Sequence, residues 1–179
     1  MNLERREAPN PYDFLPLVPS FDVSSDDIVE GQQMPETFAH SSAGGGDLSP
    51  QLSWSGFPEQ TASFAVTCID PDAPTGTGWW HWMLLDLPAS VTTLPRGAGS
   101  ESGDVLPPGA WQAISSYGTA AFGGAAPPPG DYPHKYFFAV HALDVPTLGI
   151  DRSVSQEVAA FNVTVHTIAR GLIVPTYAH

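Results

Sequence analysis

Cysteine is almost absent. Cys68 is the only thiol in the chain of 179 residues, which excludes an intramolecular disulfide framework and any thiolate zinc cluster. Cys68 lies inside an apolar run, where a buried free thiol is the expected state. Basic residues are scarce as well. Six Lys and Arg stand against 19 Asp and Glu, for a formal net charge of −13, so nucleic acid and anionic membrane surfaces are poor partners on electrostatic grounds. No run approaches the roughly 20 apolar residues of a membrane span, and no membrane insertion is expected. The N-terminus, Met1-Asn2-Leu3-Glu4-Arg5-Arg6-Glu7, has no apolar segment behind its arginines. Neither a secretory nor a twin-arginine leader fits, and cytoplasmic residence is the expectation.

Proline and glycine, by contrast, are abundant, at 19 and 17 residues. They call for many turns and argue against a helical bundle. Hydrophobic residues make up 42% of the chain, enough to build the core of one domain. Residues 1–20 are polar and carry Pro9, Pro11, Pro16 and Pro19. They read as an extended arm lying on the domain or on a partner subunit. No repeat or linker divides residues 21–179, which read as a single domain. Short strands are expected at 21–23 and 28–31, with a further one at 37–40 ahead of the glycine-rich loop 41–47. Residues 63–69 and 80–87 are β-branched or aromatic and bounded by turn residues, the pattern of good strands. Residues 136–143 are apolar on both faces, hence a central strand. One long helix is expected near the C-terminus. Ser153 and Gln156 have capping-box spacing, and Val158, Phe161, Val165, Ile168 and Leu172 recur at helical spacing as one apolar stripe. Gly171 and Pro175 would end it.

Two stretches carry the chemistry. In the first, the strand 63–69 delivers Asp70 and Asp72 onto a turn stiffened by Pro71 and Pro74. The chain returns through Thr75-Gly76-Thr77-Gly78 to Trp79-Trp80-His81-Trp82, so an imidazole lies near two carboxylates. In strand geometry His81 and Met83 would face one way and Trp80 and Trp82 the other. In the second, the stiff run Pro127-Pro128-Pro129-Gly130 leads to His134, Lys135 and Tyr136. His134 and Tyr136 share a strand face and could point into the same cavity. Each residue also has a plainer reading: Asp72 as the acceptor of an Asx-turn, His81 as a core histidine bonded to a carbonyl. No His-x-His, His-Glu-x-x-His or Gly-x-Ser-x-Gly pattern is present, so neither a metal centre, a catalytic triad nor a cofactor is expected. Two imidazoles, a phenol and loop N–H groups make a donor-rich pocket suited to a small anion, with tryptophans as its apolar wall.

These residues resemble the phosphatidylethanolamine-binding protein family, in particular its bacterial Raf kinase inhibitor-like branch. The resemblance rests on Asp70-Pro71-Asp72-Ala73-Pro74 with His81-Trp82, then Pro127-Pro128-Pro129-Gly130 leading to His134-Lys135-Tyr136. Supporting matches run from Gly46 to Trp54, from Ala142 to Val145, and at Thr176-Tyr177. The resemblance implies a mainly β fold, a large central antiparallel sheet packed on a smaller one, with a helix in the C-terminal region. It implies a ligand-binding pocket for phosphate, acetate or a phosphoryl head group at Asp70, Asp72, Pro74, His81, Ala126, Pro127, His134 and Tyr136. It also suggests a cis Ala73-Pro74 bond, a homodimer, and regulation of a kinase or protease. Where the family commonly has Gly-Pro this chain reads Gly124-Ala125, Lys135 replaces an Arg, and Ser115-Ser116-Tyr117 replaces an Asn-Asp pair. The primary reading is therefore a small-ligand binding protein. Two alternatives stand beside it: an enzyme using the Asp/His pocket for acid/base chemistry, and a protein inhibitor or scaffold that meets its partner at a pocket rim containing Trp79 or Tyr132.

Overall fold

A computed structural model describes residues 4–179; residues 1–3 of the N-terminal arm lie outside it. The architecture is mainly β. Its strands are β1 (Asp22–Ser24), β2 (Leu52–Ser55), β3 (Ser63–Asp70), β4 (Trp79–Pro88), β5 (Thr93–Leu94), β6 (Trp111–Gln112), β7 (His134–Lys135), β8 (Phe137–Leu143), β9 (Thr167–Ile173) and β10 (Thr176–Tyr177), with one helix, α1 (Gln156–His166), before β9. The large antiparallel sheet has the order β6-β4-β3-β8-β9, a three-stranded sheet has the order β1-β2-β5, and β7 pairs with β10.

Every residue of β3 is buried, because both faces of the large sheet are covered. One face carries Phe64, Val66, Cys68, Trp82, Phe138 and Val140 against Leu52 and Trp54 of the smaller sheet. The other carries Ala65, Met83, Leu85 and Leu143 against Ala159 and Val163 of α1. A buried side chain of this size contributes about 1.5–3 kcal/mol, so these two layers dominate the stability.

Three expectations are corrected. Residues 28–31 form a turn rather than a strand: Gln32 N donates to Val29 O, and Gly31 has φ +69°. Residues 36–38 form a 3-10 turn where a strand was expected. The third correction is larger. The helix begins at Ser155, whose hydroxyl accepts from Val158 N, and ends at His166. Residues 167–173 leave the helix and join the sheet beside β8. Thr167 Oγ1 donates to Val163 O at 2.6 Å, which occupies a terminal helical carbonyl. Gly171 is no helix terminus. A Cβ there would lie 2.4 Å from Val23 Cγ2 and 2.8 Å from Phe21 O, so the missing side chain lets the chain around β1 cross β9 closely. The expected apolar stripe faces outward. Val158, Phe161 and Val165 are 44%, 67% and 59% exposed, whereas the smaller Ala159 and Val163 are buried.

The arm lies on its own domain. Tyr12 packs against Phe137, its hydroxyl shares a hydrogen bond with Thr67 Oγ1 at 3.2 Å, and Arg170 lies 4.7 Å above the Tyr12 ring. Thr67 contacts His141 Nε2, and His141 Nδ1 contacts Thr167 Oγ1. Arg170 Nε donates to His141 Nδ1 at 3.4 Å, while Thr167 spends its own proton on Val163 O. Burial, with Arg170 nearby, pushes the His141 imidazole down to about 3, so it stays neutral.

Candidate functional site

The pocket sits where β3 ends, β4 begins and β7 crosses. Asp70 closes β3 and turns the chain: its Oδ1 accepts from Asp72 N at 2.8 Å, an Asx-turn. The Ala73-Pro74 peptide is trans, since no cis bond occurs among the described residues. A tight turn in which Thr75 N donates to Ala73 O at 2.7 Å reverses the chain with the intrinsically preferred trans isomer.

His81 is placed by a β-bulge. Cys68 pairs with Trp82 and Ile69 pairs with Trp80, so His81 is the extra residue on β4. Its ring therefore turns away from the Met83 face expected from strict alternation. It packs edge-on to Tyr136 at 5.1 Å and to Tyr117 at 5.6 Å. Nδ1 of His81 lies 2.8 Å from Gly123 O, so that nitrogen carries the proton, and the buried Nε2 has no hydrogen-bond partner among the described residues. Burial lowers the His81 pKa against the opposing field of Asp70 and keeps the ring neutral.

His134 is the opposite case. Nδ1 is 2.7 Å from Asp70 Oδ2 and Nε2 is 3.0 Å from Asp131 Oδ2. Burial works against its charge, but the bonds and fields of Asp70 and then Asp131 outweigh it, and the pKa is raised. The two imidazoles of one pocket are thus driven apart, one neutral and one toward the cation.

Together with Asp70, Pro74 and Trp79, the two histidines line a cavity of about 220 Å³. Tyr117, Ala126 and Pro128 complete its far side. Of the residues expected from the sequence, Asp70, Pro74, His81, Ala126 and His134 meet here. Pro128 lines the cavity where Pro127 was expected. Tyr136 stands behind His81, its buried hydroxyl without a hydrogen-bond partner among the described residues. Asp72 turns away from the cavity. Its Oδ1 accepts from Ala8 N at 2.7 Å and Tyr132 OH at 3.0 Å, and its Oδ2 accepts from Lys135 N at 3.1 Å, so it ties the arm to the turn and to β7.

The departures in the loop have structural uses. Ser116 Oγ accepts from Trp80 N at 2.9 Å and Ser116 N donates to Trp80 O, which pins the loop to β4. Ala125 N donates to Phe38 O at 3.2 Å, a bond that a proline could not make. Tyr117, Asp131 and Arg5 are the residues that the sequence reading missed. Asp131 stands three positions before His134 and was available as a signal, whereas Arg5, one of only six cations, has no local signal of this kind.

Among the described residues no cluster of His, Cys, Asp or Glu has metal-binding geometry, and no helix is long and apolar enough to cross a membrane.

The family described as Phosphatidylethanolamine-binding protein matches residues 24–178. The chain is 46% identical over 160 residues to the UPF0098 protein YbcL of Escherichia coli strain K12, covering 88% of this chain and 87% of that protein. It is 41% identical over 156 residues to the UPF0098 protein YbhB of the same organism, covering 86% and 98%. Its backbone matches the crystal structure of E. coli YbcL, described as a new member of the mammalian PEBP family, with a TM-score of 0.87 at 45% identity over 89% of this chain and 99% of that one. A phosphatidylethanolamine-binding protein from Plasmodium vivax shares the fold, with a TM-score of 0.59 at 14% identity over 94% and 90%.

Proposed function

For a chain that belongs to the phosphatidylethanolamine-binding protein family, we propose a binding function in which the cavity between His81 and His134 takes a small phosphoryl anion. The observation that carries this reading is a buried nitrogen on the cavity wall, Nε2 of His81, with no hydrogen-bond partner among the described residues, beside the indole N–H of Trp79, which has the Tyr117 hydroxyl as a neighbour. Leaving such a group unpaired costs about 1–3 kcal/mol, which a fitting ligand would recover. With Nδ1 protonated, His81 Nε2 accepts, and the indole N–H donates. A phosphate monoanion or phosphomonoester offers both complements, a P–OH donor and P–O acceptors. Acetate offers only acceptors and would first require a proton on His81. The raised His134 pKa adds positive charge on the opposite wall. A volume of about 220 Å³ suits a head group rather than a whole lipid.

The reading is completed by cytoplasmic residence, by a homodimer, and by a protein partner such as a kinase or protease meeting the rim at the half-buried Trp79. The exposed apolar face of α1 supports the homodimer. Calorimetric titration with inorganic phosphate tests the pocket. Trp79→Phe keeps the ring and removes the N–H, and His81→Ala removes the acceptor. Each should weaken binding about tenfold, the worth of one net hydrogen bond to a charged group. Unchanged affinity in both variants would place the phosphate elsewhere.

A further inference from the structure

We propose that Arg5 is a positioning residue of this pocket: held by Asp131 and by the carbonyl of Asp72, its guanidinium sets which proton His134 carries, so that docking of the N-terminal arm and anion binding are one linked equilibrium. The linkage to the anion rests on the phosphoryl reading above; the relation between Arg5 and His134 stands on geometry alone.

His134 Nδ1 faces Asp70 Oδ2 at 2.7 Å, and an ionised carboxylate only accepts, so Nδ1 carries a hydrogen. Nε2 has two neighbours that make opposite demands. Asp131 Oδ2 at 3.0 Å requires a proton on Nε2, whereas Arg5 Nη2 at 3.1 Å requires a lone pair there. One nitrogen cannot satisfy both. Asp131 therefore favours the imidazolium and Arg5 the neutral ring, and the proton on Nε2 is set by the balance between them.

Arg5 is well placed to exert this influence. Nη1 binds Asp131 Oδ2 at 2.6 Å, Nη2 binds Asp72 O, and the guanidinium lies 4.7 Å from the Tyr132 ring centroid. The arm around it is fixed by Ala8 N on Asp72 Oδ1 and by the Glu7–Lys135 ion pair at 3.0 Å. The charged and titratable groups that face His134 are Asp70, Asp131, Arg5 and the Tyr132 phenol, whose ring is 5.6 Å away. Lys135 is engaged by Glu7 and by Ala8 O. Against the carboxylates of Asp70, Asp72 and Asp131, Arg5 is thus the second cation after His134. An incoming anion meets a less negative rim while the arm is docked.

Arg5 acts on an anion in two opposing ways. It reduces the negative potential, and it draws His134 toward its neutral form. At pH 5.5 His134 is charged either way and only the first effect remains. The test is the histidine NMR titration of the full chain and of Arg5→Ala, Arg5→Lys and Arg6→Ala, with inorganic phosphate titrated into each at pH 5.5. Arg6 is exposed, and its loss changes the net charge equally. In Arg5→Ala, His134 should titrate about half a pH unit or more above the wild type, with Arg5→Lys between them because an ammonium lacks the fork. Phosphate affinity should fall roughly fivefold in Arg5→Ala and stay near wild type in Arg6→Ala. A His134 titration that is the same in Arg5→Ala as in Arg6→Ala overturns the inference. A His134 shift accompanied by equal phosphate affinities overturns the linkage. A wild-type chain that does not bind phosphate overturns the anion reading itself, while the His134 shift would still support the positioning role of Arg5.

Discussion

Nδ1 of His134 and Oδ2 of Asp70 lie 2.7 Å apart, with side chains only 1% and 4% exposed. The pair joins the end of β3 to β7 and holds one wall of the pocket. Removing one partner of a buried charged pair costs about 3–5 kcal/mol. Asp70→Asn should fall near 3, because Asp131 still faces the other nitrogen. The pH dependence has a definite sign. The folded pKa of His134 is raised, so its contribution is fully present below the unfolded value near 6.5 and disappears as pH rises through the folded value. The variant should therefore lose more stability at pH 5.5 than at pH 9 in urea denaturation. Equal losses at both would show that the bond is indifferent to the charge on His134.

His81 predicts the opposite trend. Burial depresses its folded pKa, so its contribution is present above about 6.5 and lost as pH falls through the folded value, because the unfolded chain takes up the proton first. Because Nε2 accepts from a P–OH group, the site takes the phosphate monoanion, and a dianion must pick up a proton on binding. Phosphate affinity is then expected to rise from pH 8 to pH 5. Calorimetry at pH 7 in buffers of different ionisation enthalpy should register proton uptake that vanishes in His81→Ala. A pH-independent affinity without proton uptake would remove His81 from the site.

How much of this could be read beforehand depends on the range of the interaction that fixes each element. The strands β3, β4 and β8 were legible because apolar runs bounded by turn residues need only local information. The end of α1 was not. Ile168 and Leu172 are four apart, a spacing that suits one face of a helix and also one face of a strand. The side chains that α1 buries, Ala159 and Val163, are the smaller ones, and pattern reading favoured the larger Phe161. The bulge at His81 depends on the register with Cys68 and Ile69, which β4 alone does not encode. The sequence brought Asp70, His81 and His134 together through two short motifs. It gave no local signal for Arg5, which meets His134 across 129 residues.

Gly124 offers a test of the wall behind Ala126. A Cβ there would lie 2.2 Å from the Ala39 carbonyl carbon and 2.3 Å from His40 N, both backbone atoms that cannot rotate away. The bridge between Ala39 and Ala125 would have to part, and with it the hydrogen bond from Gly124 N to Asp47 Oδ1 at 2.9 Å. Gly124→Ala should cost about 1–3 kcal/mol by overpacking and weaken phosphate binding, because Gly123 O next door holds the His81 proton. Gly118→Ala is an informative comparison. Its φ of +83° is strained for alanine, but a Cβ there meets nothing within 4 Å, so it should cost about 1 kcal/mol and leave phosphate affinity unchanged. If the two variants weaken phosphate binding equally, loop strain rather than the 39–125 bridge controls the pocket.

The outward face of α1 bears on assembly. Single exposed apolar side chains are ordinary, but Val158, Phe161 and Val165 are three and four residues apart and so form one contiguous strip. The helix keeps its place through Ala159 and Val163, which face the sheet. Phe161→Glu should therefore leave folding intact, with a change in stability of about 0.5 kcal/mol or less as for other exposed positions. If this strip is the homodimer surface, a buried glutamate on each side of a twofold contact would meet its own copy, and the repulsion would be felt twice. Light scattering after size exclusion should then give a dimer mass for the wild-type chain and a monomer mass for Phe161→Glu, with unchanged phosphate affinity, since Phe161 is remote from the cavity. A dimer that survives the substitution would move the interface off α1, and a monomeric wild type at micromolar concentration would remove the homodimer from the reading altogether.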